Sequence, residues 1–220
     1  MQQALDFSIE KYEVIYDQIS DELVNKGWCV IPDYYETDLV NALNQDLSAY
    51  QAADALNRAG IGRGDDFKID DNIRGDKTHW LTRETKAQAK YLDIMENLRI
   101  AMNRRLFLGL FEFESHFALY EPGTFYQKHK DSFRGAANRI LTTVTYLNEN
   151  WGKEDGGFLI IYHPETERED TRIKPDAGTL VIFLSEEIPH EVEKTHRSRS
   201  SIAGWFRCNT SLAGEIDPLN

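Results

Sequence analysis

His129-Lys130-Asp131 places an imidazole and a carboxylate two residues apart. On an extended strand successive side chains point to opposite faces, so residues i and i+2 look the same way. A second imidazole arriving from far along the chain, His190, would complete a set of two imidazoles and one carboxylate. Three such donors can hold a ferrous ion on one face, leaving coordination positions open for a co-substrate and oxygen. Beyond His190 comes Arg199, whose planar fork of donors suits a carboxylate.

Composition alone supplies about one such pair by chance, with six His and 37 acidic residues among 220. A competing pair does occur, His163-Pro164-Glu165. His163 closes the apolar run 158–162, and Pro164, having no N–H for a sheet ladder, reads as the start of a turn. It also leaves little chain before His190 for the strands that must intervene. His129 lies ahead of five further strand-like runs, with His190 opening the last pair. His129 is therefore the candidate.

The elements that would position these residues can be read from periodicity. Residues 8–26 carry Ile9, Tyr12, Ile15, Ile19, Leu23 and Val24 at helical spacing, ending near Gly27. Trp28 to Ile31 reads as a short strand stopped by Pro32, and Thr37 can cap a second helix with Leu39, Leu43 and Leu47 on one face. Thr82 is placed to cap a long helix over 83–105, with Tyr91, Met95, Leu98 and Met102 as its buried stripe. Between the second and third helices, residues 59–76 are glycine-rich and charged, a poor core segment that reads as a lid with Arg74-Gly75-Asp76 at its hinge.

Strand-like runs then follow at 114–120, 125–131, 139–147, 157–162, 179–185, 190–194 and 200–207. Punctuated by Pro-Gly, Gly-Gly and Pro-Asp-Ala-Gly turns, they predict a barrel or jelly roll, and with the helices an α+β chain. Along 139–147, Thr142, Val144 and Tyr146 share one face; along 199–205, Arg199, Ser201, Ala203 and Trp205 do. An arginine on the same face as a tryptophan would be buried and must find an anion. A structural ion pair with Asp or Glu is the plain alternative to a bound ligand carboxylate.

A net charge of −12 argues against nucleic-acid backbones as a substrate. No window is apolar enough for a membrane span, and the N-terminus lacks a signal-peptide layout. Two cysteines, Cys29 and Cys208, give no disulfide framework, so a reducing cytoplasm is expected. The chain is expected to form one domain, 1–220: helical support over 1–110 with the lid at about 59–76, a core over 114–207 and a tail over 208–220.

The segment Tyr120 to Asp131 (YEPGTFYQKHKD) resembles the metal-site segment of the 2-oxoglutarate- and Fe(II)-dependent prolyl hydroxylases. Arg139 to Asn148 (RILTTVTYLN), Trp151, Gly156-Gly157, Pro189-His190-Glu191-Val192 and Arg199 to Trp205 continue the likeness in order. Ile73 to Trp80 (IRGDKTHW) is further similar to the subgroup holding the hypoxia-inducible-factor prolyl hydroxylases and their bacterial relatives. The resemblance spans roughly residues 70–207.

It implies a double-stranded β-helix (jelly-roll, cupin-like) core flanked by N-terminal helices, with Fe(II) held by His129, Asp131 and His190. It implies 2-oxoglutarate against Arg199, Tyr146, Tyr120, Thr142 and Trp205. Arg74, Asp76, Arg139, Tyr126 and Trp151 fall to the substrate and lid, with Asp76 expected to pair with Arg139. The implied reaction takes O2 and a protein or peptide bearing a target proline, releases succinate and CO2, and draws on ascorbate. Two alternatives stay open: hydroxylation of a free amino acid or other small molecule, and an oxygen or iron sensor using the same site.

Overall fold

The computed structural model describes residues 2–60, 68, 70, 72–132 and 138–208, with side chains from Tyr12 onward. Half of the expected lid (61–67, 69 and 71) and nearly all of the tail (209–220) lie outside the described residues. Helices α1 (Gln2–Lys26), α2 (Thr37–Ala52) and α3 (Lys86–Leu106) precede most of the strands. Strands β1 (Trp28–Ile31), β2 (Asn57–Arg58) and β3 (Asp76–Trp80) are interleaved with them. Then come β4 (Leu110–Tyr120), β5 (Tyr126–His129), β6 (Arg139–Tyr146), β7 (Leu159–Tyr162), β8 (Glu169–Ile173), β9 (Leu180–Leu184), β10 (His190–Val192) and β11 (Arg199–Cys208).

The strands form two antiparallel sheets, a larger one in the order β1-β9-β6-β11-β4-β3-β2 and a smaller one in the order β5-β10-β7-β8. Period-two alternation builds a core on each face of the larger sheet. On one face Phe117, Leu141, Leu180, Ile182, Ile202 and Phe206 pack against the three helices. On the other, Ala118, Tyr120, Val144, Tyr146, Val181 and Phe183 meet Leu159, Ile161, Ile173 and Val192 of the smaller sheet. Buried on both faces, β9 reads as a continuous apolar run, LVIFL, rather than an alternating one. The α+β expectation holds, with the functional residues on the face between the sheets.

The α3 stripe is as expected: Tyr91, Met95, Leu98 and Met102 are fully buried. Truncating one such residue, Leu98→Ala, should cost about 2–5 kcal/mol. The cap is one turn later than expected, because Thr85 rather than Thr82 accepts the Gln88 backbone N–H at 3.1 Å. Thr82 instead turns the chain just before it, accepting the Glu84 N–H at 3.2 Å. Thr37 likewise is not a cap; it opens α2, whose N-cap is Glu36.

Three strands escaped the sequence reading: β2, β3 and β8. Their residues are mostly charged or polar and carry little apolar pattern; β2 and β8 are edge strands, and β3 lies next to the edge. β3 is the consequential one. It makes Asp76 a buried strand residue, paired in register with Tyr120, and not a lid hinge. Gly75 does not adopt positive φ either. It is needed for room, since a Cβ there would stand 2.8 Å from the Thr124 Cβ.

Candidate active site

β5 and β10 are neighbours in the smaller sheet, and the register sets His190 opposite His129. Antiparallel pairing across a register shift thus brings together two imidazoles that are far apart in sequence. Asp131 lies just past the end of β5, in a bend, and its side chain still turns to the same side. One ligand atom from each of His129, Asp131 and His190 falls within 4.8 Å of the others. His129 Nε2 is 3.4 Å from Asp131 Oδ1, and His190 Nε2 is 3.8 Å from Asp131 Oδ2.

The imidazole tautomers follow from their partners. His129 Nδ1 is 2.7 Å from the Gln127 carbonyl, and His190 Nδ1 is 3.1 Å from the Ile188 carbonyl. A carbonyl only accepts, so each Nδ1 carries the proton and each Nε2 presents a lone pair to the centre of the cluster. Burial, with His129 adjacent, pushes His190 down to about 4 and keeps it neutral. Burial opposes ionisation of Asp131, but the two imidazoles and the Thr142 hydroxyl outweigh it and hold the carboxyl well below its usual range. The cluster thus offers two imidazole nitrogens and one carboxylate, the ligand chemistry of a ferrous site.

Its surroundings are aromatic. Tyr126 stacks on His129 at 3.6 Å between centroids, and Phe183 lies 4.6 Å from His190. Thr142 donates to Asp131 Oδ2 at 2.7 Å. That hydroxyl, expected to face the co-substrate, is committed to the carboxylate instead.

Arg199 is buried to 1% exposure, yet no Asp or Glu pairs with it among the described residues. Its Nε donates to the Gly157 carbonyl at 2.8 Å and its Nη1 to Ser201 Oγ at 3.2 Å, while Nη2 has no partner among the described residues. The rings of Tyr120 and Tyr146 flank the guanidinium at 5.0 and 5.1 Å. The Tyr146 hydroxyl and the Trp205 indole N–H are also buried without hydrogen-bond partners among the described residues. Burial pushes the Tyr146 phenol up to about 12, against the opposing pull of Arg199, so it stays a donor. A buried cation with an open prong beside an unpaired hydroxyl is costly unless an anion joins them. The structural ion pair is thus disfavoured.

Gly157, at φ +65°, lets the backbone pass close enough to hold Arg199: a Cβ there would stand 3.0 Å from Arg199 Cδ. Trp151, expected to meet substrate, is buried under that turn. Its indole N–H donates to the Gly156 carbonyl at 2.8 Å, and Arg197 covers its ring at 4.8 Å.

The expected Asp76–Arg139 pair is replaced by two others. Arg74 grips Asp76 through Nε at 2.6 Å and Nη2 at 2.9 Å, and lies over the Tyr126 ring at 4.8 Å. Arg139 donates to Glu114 at 2.7 Å and stacks on Trp205 at 3.7 Å. Strict alternation along β6 would turn Arg139 away from the face of Tyr146. The register of β6 on β11 skips Ile140, so Arg139 pairs with Arg207 and returns to the face of Trp205. Signals for Arg74–Asp76 existed, since i and i+2 on extended chain share a face. The Glu114–Arg139 contact, across β11, had none.

A family model described as the 2OG-Fe(II) oxygenase superfamily matches residues 115–207. The structure is similar to a Pseudomonas putida prolyl-4-hydroxylase, 40% identical, with a TM-score of 0.81 over 88% of this chain and 99% of that one. It is similar also to a Trichoplax adhaerens prolyl hydroxylase solved with a hypoxia-inducible-factor oxygen-degradation-domain peptide: 27% identical, TM-score 0.82, 91% of this chain and 92% of that one. A Caenorhabditis elegans hypoxia-inducible factor prolyl hydroxylase is 43% identical over 86 residues, which are 38% of this chain and 12% of that protein's length. Likeness of sequence and fold over nearly the whole of the bacterial enzyme means that the chain belongs to the 2OG-Fe(II) oxygenase superfamily, with the double-stranded β-helix fold, among the prolyl hydroxylases.

Proposed function

We propose that the chain is a 2-oxoglutarate-dependent dioxygenase that hydroxylates a prolyl residue of a protein or peptide. The observation that carries this is the buried Arg199, open at Nη2 beside the unpaired Tyr146 hydroxyl, on the same sheet face as the Asp131–Thr142 contact. Thr142 and Tyr146 are four residues apart on β6, about 13 Å along a strand. That interval lets one acidic molecule lie between the arginine and the metal cluster.

In this reading His129, Asp131 and His190 hold Fe(II), with the two Nε2 lone pairs and the carboxylate as donors. When bound, Fe(II) and 2-oxoglutarate supply the oxidation, converting the keto acid and O2 to succinate and CO2 and adding an oxygen atom to a proline C–H bond. Arg199 and the Tyr146 hydroxyl bind the distal carboxylate, with Tyr120 against the guanidinium. Trp205, whose N–H is also unpaired among the described residues, shares the face of Arg199 and is held by Arg139, itself fixed by Glu114. Tyr126, stacked on His129, fixes the plane of that ligand, and Arg74 with Asp76 fixes Tyr126.

Ascorbate belongs to the proposal as the reductant that restores ferrous iron after uncoupled turnover. So does action of residues 1–220 as one unit, supported by the packing of all three helices on the larger sheet. A cytoplasmic setting is supported by Cys29 and Cys208, both free. No helix among the described residues is long and apolar enough to cross a membrane.

The test is succinate release by the chain loaded with Fe(II) and 2-oxoglutarate. Proline-containing peptides should raise it over the peptide-free rate, and free amino acids should not. Tight iron binding with no succinate under either condition would favour the sensor.

A further inference from the structure

We propose that Ser185 is a positioning residue for the metal ligands: through Thr142 it fixes one oxygen of Asp131 and leaves the other as the single donor to the metal. This rests on the reading of His129, Asp131 and His190 as an iron site.

Proton counting gives the direction of the chain of bonds. The Asp131 carboxylate can only accept, so the contact of 2.7 Å between Thr142 Oγ1 and Asp131 Oδ2 is a donation by threonine. Thr142 has one hydroxyl proton and has used it. Ser185 Oγ, 2.9 Å from Thr142 Oγ1, must therefore donate to it. Both residues are buried, Thr142 at 2% and Ser185 at 0% exposure, so solvent does not compete for either hydroxyl. The order is Ser185 to Thr142 to Asp131, and it cannot run the other way.

Ser185 is itself held in place. It follows the last residue of β9, and its backbone N–H donates to the Ile140 carbonyl of β6 at 3.0 Å. It opens the turn 185–189, which is closed by the Glu187 and Ile188 N–H groups donating to the Leu184 carbonyl at 3.3 and 3.1 Å. The same turn provides the Ile188 carbonyl that accepts from His190 Nδ1 at 3.1 Å. One five-residue turn thus orients two of the three ligands, His190 directly and Asp131 through Thr142. These ligands come from different parts of the chain, and their relative placement is what the turn fixes.

The consequence is chemical. A carboxylate with both oxygens free can chelate through both and fill a position that co-substrate or oxygen needs. With Oδ2 tied to Thr142, Oδ1 remains, 3.4 Å from His129 Nε2. Neighbours of this kind typically change metal affinity by about 10- to 100-fold when removed.

The test is Co(II) titration of the purified chain, followed by its visible absorption, which reports both affinity and coordination number. The forms compared are wild type, Ser185→Ala, Thr142→Val, the double variant and Thr142→Ser. Thr142→Val should weaken Co(II) binding by about 10- to 100-fold. Ser185→Ala should weaken it by several-fold and shift the absorption bands towards higher coordination. The double variant should bind no more weakly than Thr142→Val alone, since Ser185 acts only through that hydroxyl. Thr142→Ser should restore wild-type binding. Losses that add in the double variant, or a Ser185→Ala spectrum and affinity equal to wild type, would overturn the proposal. Should Thr142→Val fail to fold, the Ser185→Ala titration decides alone. A wild-type chain that takes up no Co(II) overturns the iron-site reading, and this inference with it.

Discussion

Arg199→Lys keeps a positive charge in the pocket and removes the fork. In the structure the guanidinium does three jobs at once: Nε holds the Gly157 carbonyl, Nη1 holds Ser201 and Nη2 is open. A lysine ammonium on its own stem cannot keep the Gly157 anchor and present two parallel donors to a carboxylate. A hydrogen bond to a charged group is worth about 1.5–3 kcal/mol. Loss of one prong should therefore weaken 2-oxoglutarate by about 10- to 150-fold. The assay is thermal unfolding with Mn(II) present, with and without 2-oxoglutarate. At 100 times the wild-type Kd the ligand adds about 2.7 kcal/mol of stability. A variant binding about 30-fold more weakly gains only about 0.9 kcal/mol at the same concentration. Equal gains in both proteins, or an unchanged Michaelis constant for 2-oxoglutarate, would return Arg199 to a structural role.

His190→Ala should abolish Fe(II) binding and turnover, whereas His163→Ala should leave both intact. The His163 ring only accepts the Glu165 and Thr166 N–H groups of an exposed turn at 3.2 and 3.3 Å, so its loss should cost about 1 kcal/mol of stability. Iron titration of the two variants checks this, and a reversed result would move the metal site. Asp76→Asn leaves Arg74 as a buried, half-paired cation and should cost about 3–5 kcal/mol in denaturant unfolding; Asp76→Leu with Arg74→Met should recover much of it. A stable Asp76→Asn would mean that the pair contributes little. Burial, aided by the nearby Arg74, pushes His116 down to about 4 from an ordinary 6.5. The unfolded chain then binds the extra proton first, so stability of the metal-free protein should fall as pH drops from about 6.5 to 4. His190 adds in the same direction. His116→Phe should flatten the profile in that window, and an unchanged slope would contradict the assignment.

How much of this was legible in the sequence depended on range. The His129 and Asp131 pair, the α3 stripe and the shared face of Thr142 and Tyr146 follow from local periodicity, and the structure has all three. What failed is where local patterns are interrupted or absent. The skipped residue Ile140 reversed the facing of Arg139, because a one-residue slip moves a side chain to the other face. β8, Glu169–Ile173, carries charges at most positions and gave no strand signal. Ser185 reads only as the end of the strand-like run 179–185, and its bond to Thr142 joins positions 43 apart in sequence, which no spacing rule reaches. The glycines before Asp76 suggest a loop and so a hinge, while its buried partner, Arg74, is two residues away.

The central claim is tested most directly by mass spectrometry of proteins from cells with and without the active chain, searching for one added oxygen on proline. The account predicts such a residue, present with the wild-type chain and absent with His190→Ala or without iron. It also predicts that the purified chain repeats the modification on the corresponding peptide, releasing one succinate for each oxygen incorporated. Stoichiometric iron and 2-oxoglutarate binding with no oxygen gained on any proline would contradict it.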